Sequence, residues 1–233
     1  MNKVKKTLEG TRRLIEDTKN KITSLDFDAH WYRRVFHAFG ACFLIYYLLP
    51  DIDWINFLKL IVPPVIVVFA ASLEILRLKG KINGDHFFGL RMYEKDRVGS
   101  YVFFAVGIML LLMLPWQAIS IPCILCACLG DPIIGEIRIH FGKRYAYILG
   151  FLTCMLFFML VWYTTGIALF LLVSIIGGLG AIIGETQKFW WLDDDFMIQI
   201  LPAILLIIIW LSAPHLGLNL PPDQIITPAI MPW

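Results

Sequence analysis

The chain has 233 residues, 59% of them apolar against roughly 45–50% in a soluble domain, and its mean hydropathy is positive. That composition excludes an ordinary soluble enzyme and implies an integral membrane protein, all-α and built as a polytopic helical bundle. The formal net charge of +2 says nothing about partners, and no nucleic-acid partner is expected; where the charges sit says more.

Residues 1–30 are charged, with Val4, Leu8, Leu14, Ile15, Ile22 and Leu25 recurring at helical spacing. This predicts a cytoplasmic amphipathic helix on the membrane surface, and no cleavable signal peptide. Trp31-Tyr32-Arg33-Arg34 then forms an aromatic and basic belt where the first span begins. A transmembrane domain is expected over 31–213, with apolar runs at about 35–50, 55–76, 99–115, 117–130, 145–163, 166–184 and 196–213. Seven spans follow, the first and fourth short for a full crossing of ~20 residues. Residues 214–233 are a Pro-rich tail, expected to be irregular or laid against the membrane.

Orientation follows from basic residues. With the amino terminus in the cytoplasm, only Lys59 of the 20 Lys and Arg residues falls on the far side. The positive-inside rule therefore predicts an odd number of spans, a carboxyl terminus outside and every charged cluster facing the cytoplasm, where nucleotides are found.

The five cysteines all lie inside apolar runs. Cys123, Cys126 and Cys128 have no fourth Cys or His nearby and read as small buried residues, with no disulfide framework.

Four polar clusters interrupt the apolar runs. Arg33-Arg34 precede His37, which stands one turn deeper, and the adjacent cations suit phosphate contact. Glu74 needs a partner, most simply Arg77 or Arg91; Asn83-Gly84-Asp85 signals a turn, and Arg91, Glu94 and Arg97 form a stripe. Gly130-Asp131 ends an apolar run and offers one carboxylate as a Mg²⁺ ligand. Gly135 and Gly142 leave room for backbone approach to a phosphate, and Lys143 and Arg144 add counter-charge. Glu185 ends a helix carrying Gly177, Gly178, Gly180 and Gly184, small residues that permit close packing. Asp193-Asp194-Asp195 follow, a triad costly at a membrane surface unless a cation bridges it. No G-x-x-x-x-G-K-[ST] motif and no protein-kinase signature occurs.

Taken together, Arg33-Arg34-x-x-His37, Glu74-x-x-Arg77 with Arg91-x-x-Glu94-x-x-Arg97, Gly130-Asp131 with Gly135 and Gly142-Lys143, and Glu185 with Asp193-Asp194 and Pro202 form one series. The series resembles the dolichol kinase, phytol kinase and CTP-dependent diacylglycerol kinase family over about residues 30–205. Arg138 stands where that family usually has Gly, and Asp195 where it has Asn. The resemblance implies a membrane enzyme that transfers the γ-phosphoryl of CTP, or of another nucleoside triphosphate, to a lipid alcohol from the bilayer. It implies that Asp131 with Asp193 or Asp194 holds Mg²⁺, and that Arg33, Arg34 and Lys143 hold the triphosphate. Arg138 would add a phosphate contact or block the usual nucleotide pose. His37 or Glu185 would receive the alcohol proton. A cytidylyltransferase acting on a lipid phosphate uses similar parts, and a transporter or scaffold is the non-enzymatic alternative. Self-association into a homo-oligomer is left open.

Overall fold

The computed structural model describes residues 31–32, 34–82, 94, 96–187 and 192–229. The expected amphipathic helix of residues 1–30, Arg33, the Asn83-Gly84-Asp85 turn and Arg91 lie outside the described residues. The described part is helical, without strands. Five helices are long and apolar enough to cross a bilayer, as in an integral membrane protein: α2 (Asp53–Leu78), α4 (Gln117–Phe141), α5 (Lys143–Trp162), α6 (Ile167–Thr186) and α7 (Asp194–Leu216). Two more apolar helices are shorter, α1 (Arg34–Leu48) and α3 (Ser100–Leu112).

The apolar runs are recovered with one change of consequence. The fourth does not end near residue 130; α4 continues through Asp131 to Phe141, and the polar cluster expected to interrupt the apolar runs there is helical. Pro132 explains how the helix gets through. Its ring clashes with the carbonyl four residues back and it has no N–H to donate. The turn before it, Cys126–Gly130, widens to a π-turn in which Asp131 N–H reaches Cys126 O. The helix stops only at Gly142, whose φ of 83° suits a residue without a side chain.

Helix prolines leave carbonyls without backbone donors, and in hydrocarbon no water replaces them. Neighbouring helices do so here. Pro63 in α2 cannot serve Lys59 O, which accepts from Tyr46 Oη of α1 at 3.4 Å. Pro122 in α4 cannot serve Ala118 O, which accepts from Trp162 Nε1 of α5 at 2.8 Å. These bonds fix how α1 meets α2 and how α4 meets α5.

Helix packing elsewhere follows the small residues. A Cβ on Gly40 of α1 would meet Cys128 Sγ and Phe104 Cζ, each at 2.9 Å, so α1 lies close against α4 and α3. Gly177, Gly178 and Gly180 of α6 lie against Phe158, Met155 and Pro202, and Gly184 rests on the backbone of α7 at Met197. Close packing along this glycine series is therefore realised. Cys123, Cys126, Cys128 and Cys154 are free and buried in the core, while Cys42 is free and exposed.

Two ties close the ends. At one, Glu74 of α2 accepts two bonds from Arg77, each 2.7 Å, and a third from Tyr101 Oη of α3 at 2.8 Å. Arg77 also donates to Glu94 O and Arg97 O, so the buried pair holds the α2–α3 connection against both helices. Arg77 is thus the partner Glu74 required. At the other end the tail is irregular after Leu216 but returns to the bundle. Gln117 Oε1 accepts from the N–H groups of Ile225 and Ile226 at 2.9 and 2.8 Å, and Ala229 N–H donates to Leu48 O at 2.9 Å.

The proline account predicts a coupled pair. Trp162→Phe removes the donor to Ala118 O and should destabilise the protein by about 1–3 kcal/mol. In a Pro122→Ala background residue 122 regains an N–H, and the same Trp162→Phe change should cost measurably less in a thermal-unfolding double-mutant cycle. Equal costs in both backgrounds would refute the account.

Candidate functional site

The site is built where α1, α3, α4, α6 and α7 meet. On α1 the residues facing inward are His37, Gly40 and Tyr47, one stripe at helical spacing. Because Gly40 presses α1 onto Cys128, His37 is carried into the space beside the π-turn of α4. Its Nδ1 lies 3.5 Å from Ala127 O. That carbonyl needs a side-chain donor, because Asp131 N–H goes to Cys126 O and the next residue, Pro132, has no N–H. The ring also stacks at a tilt on Phe104 of α3, 4.8 Å between centroids.

Two carboxylates flank the imidazole. His37 Nδ1 is 3.7 Å from Asp131 Oδ2 of α4, and Nε2 is 3.8 Å from Asp195 Oδ2 of α7. One ligand atom from each of His37, Asp131 and Asp195 can be chosen so that all lie within 4.8 Å of one another. Asp193, Asp194 and Asp195 meet the same condition among themselves. Asp195 thus belongs to both groups. It is 1% exposed, and it heads an inward stripe on α7 that continues through Gln199, Pro202, Leu206 and Trp210. Gln199 Nε2 donates to Asp195 O at 2.8 Å and reaches Phe104 O at 3.4 Å, joining α7 to α3 below the site.

Glu185 stands beside this group at the end of α6, buried, with Asp131 and Asp194 near enough to repel its charge. Gly184 puts it there by letting α6 rest on the α7 backbone. Its Oε1 accepts from Arg138 of α4, while its Oε2 is buried without a hydrogen-bond partner. Arg138 is partly exposed, and its Nε also lacks a partner.

Asp131, Gly135, Arg138 and Gly142 recur at the spacing of a single face of α4. A Cβ on Gly135 would meet nothing within 4 Å, so this face is open between the acid and the arginine. Glu136 pairs with Arg34 of α1 and with His140 one turn on, Nδ1–Oε1 3.1 Å. Lys143 and Arg144 are exposed beyond the end of α4. The 11 residues Asp131–Phe141 span about 15 Å, so Lys143 is not beside Asp131 but a helix segment away.

The structure therefore brings together His37, Asp131, Glu185 and the triad, with Arg138 on Glu185 and Arg34 on Glu136; it leaves Lys143 apart. Asp195, read from sequence only as a departure from a pattern, is the triad member that faces His37. The buried spacing Asp195, Gln199, Leu206 on α7 was the available signal. No family model, curated protein or solved structure matches the chain.

Arg138→Ala leaves Glu185 buried with neither oxygen paired to it, and should cost about 1–3 kcal/mol of stability. Glu185→Gln in the same chain should recover part of that loss, since the amide no longer carries the charge. Additive losses in thermal unfolding would show that the two side chains act independently.

Proposed function

We infer that this protein is a membrane phosphotransferase that moves the γ-phosphoryl group of CTP, or of a related nucleoside triphosphate, to a lipid alcohol. One observation carries the reading: His37, Asp131 and Asp195, from three helices far apart in sequence, offer ligand atoms within 4.8 Å of one another at a buried spot. Phosphoryl transfer asks for positioning and charge neutralisation more than for covalent chemistry. A cluster of carboxylates, two arginines on nearby turns and an open helix face supply both.

Three carboxylates gathered at the start of α7 suit a magnesium–nucleotide, whose metal takes oxygen donors. When bound, the ion would offset negative charge on the transferring phosphoryl group. Arg34 and Arg138 are held by Glu136 and Glu185 and would exchange those partners for phosphate oxygens. The open face from Asp131 past Gly135 to Arg138 suits an elongated ligand lying along α4, and Lys143 would meet its far end. Glu185, with one oxygen unpartnered, and His37 are the two groups able to accept the proton of an alcohol. The alcohol would enter sideways from the lipid, its tail remaining among exposed apolar helix faces. All seven helices cross in this reading, α1 and α3 being short, and the amino terminus and the site face the cytoplasm.

The direct test is ³²P transfer from labelled CTP or ATP to a panel of dolichols, isoprenoid alcohols and diacylglycerols. Labelled lipid with release of CDP is expected, and Asp131→Asn should lower the rate by about 10²–10³-fold. Release of pyrophosphate would instead identify a cytidylyltransferase, and no nucleotide turnover with any acceptor would overturn the reading. Ligand-induced thermal stabilisation by Mg²⁺ and CTP should be lost in both Arg34→Ala and Asp194→Ala, and no further in the double mutant.

Topology is checked separately. An impermeant thiol reagent applied from outside should modify Asp223→Cys and spare Lys81→Cys. The reverse labelling would place the site on the wrong side for nucleotide.

A further inference from the structure

Two of the arginine–glutamate pairs in this bundle differ by one bond. Arg77 grips Glu74 with a fork, Nε to Oε2 and Nη2 to Oε1, each 2.7 Å. Arg138 uses the same nitrogen on Glu185, Nη2 to Oε1, and makes no second bond. The two atoms that would close the fork, Arg138 Nε and Glu185 Oε2, are both buried without a hydrogen-bond partner. Glu185 is 3% exposed, so bulk water does not reach its carboxylate. A buried donor and acceptor left in this way are costly, and native interiors keep few of them.

Packing holds the pair in this half-closed state. Gly184 seats the end of α6 on the α7 backbone, and the Arg138 guanidinium carbon lies 6.0 Å from the Tyr147 ring of α5. One turn deeper on the same helix faces, Ile134 and Ile182 close over Gly150, where an added Cβ would meet both. Apolar side chains therefore back the pair on its inner side, and its open side is that of Arg138, whose side chain is 33% exposed. The two unpartnered atoms narrow what can complete the fork. A cation would answer Oε2 and leave Nε, while an anion or an ether oxygen would answer Nε and leave Oε2. A hydroxyl answers both from one atom, donating to the carboxylate and accepting from the guanidinium.

We propose that Arg138 Nε and Glu185 Oε2 are the seat of the acceptor alcohol's hydroxyl, with Glu185 as the catalytic base. The proposal rests on the phosphotransferase reading and sharpens it at two points. Glu185, not His37, takes the proton. Arg138 keeps its bond to Glu185, and only its remaining nitrogen is left for a phosphate oxygen. As the alcohol oxygen bonds to the γ-phosphorus, the bond from that phosphorus to the β–γ bridging oxygen breaks. The nucleoside diphosphate leaves with the electron pair, and the hydroxyl proton passes to Glu185 Oε2.

The test uses the full chain in a hydroxyl-free detergent, without nucleotide, with geranylgeraniol and dioleoylglycerol as probes. Each is compared with its O-methyl ether, which can accept from Arg138 but cannot donate to Glu185. At least one alcohol should bind saturably, and about 10-fold or more tighter than its ether. Arg138→Lys keeps the charge but lacks a second nitrogen, and Glu185→Gln turns an amide donor toward the hydroxyl. Each variant should bring alcohol and ether within about 2-fold of one another. If one variant does not fold, the other decides. Equal binding of alcohol and ether by the unaltered protein would overturn the site and leave the fork to a water. A preference that a folded variant retains, or no saturable binding of either alcohol, would overturn it too. The two readings fail separately. A hydroxyl preference lost in the variants, without phosphoryl transfer, sinks the kinase and keeps the hydroxyl seat. Transfer without that preference sinks this site alone.

Discussion

A bilayer offers no water to a stray carbonyl, and this bundle contains prolines inside three of its long helices, α2, α4 and α7, each of which breaks the backbone ladder. Side chains from neighbouring helices fill three of the gaps that result. Tyr46 serves Lys59 O, Trp162 serves Ala118 O, and His37 serves Ala127 O. The last of these has a double effect. It bridges the ladder where α4 widens before Pro132, and it orients the one buried imidazole among the described residues.

Buried charge is handled in two contrasting ways. Glu74 and Arg77 satisfy each other with two parallel bonds and take further partners from the backbone and Tyr101, as a buried pair must if it is to be stable. Beside His37, Glu185 accepts from Arg138 through one oxygen and keeps the other unpartnered. The first arrangement is complete as it stands and holds helices together. The second is held in place by close packing at Gly40 and Gly184.

Much of the frame was legible in the sequence because hydrocarbon imposes long apolar runs, and the seven runs found by composition correspond to α1–α7. The small residues that bring α6 against α5 and α7, the buried thiols and the pairing of Glu74 with Arg77 were also readable, since each has a local cause. What hid was register. Glycine, proline and charge between 130 and 144 read as a break, yet a π-turn carries the helix through Pro132, and the end comes only at Gly142. Asp195 hid for a related reason: among three consecutive aspartates, only the helix phase of α7 tells which one faces His37. The distance between Asp131 and Lys143 was invisible for as long as the segment between them passed for a loop.

The tail strapped across the other end of the bundle bears on how material can pass through it. Leu218, Leu220, Ile225 and Ile226 pack on the core there, while Gln117 and Leu48 hold the strand by its backbone. A conduit needs two mouths. One end of this bundle carries the His37 cluster, and the tail lies across the opposite one. To carry a solute across, it would have to release that tail on every cycle, breaking three bonds at Gln117 and exposing the isoleucines. A catalyst that takes in and gives back its reactants at the same rim has no such requirement, and a fixed floor keeps its helices from splaying.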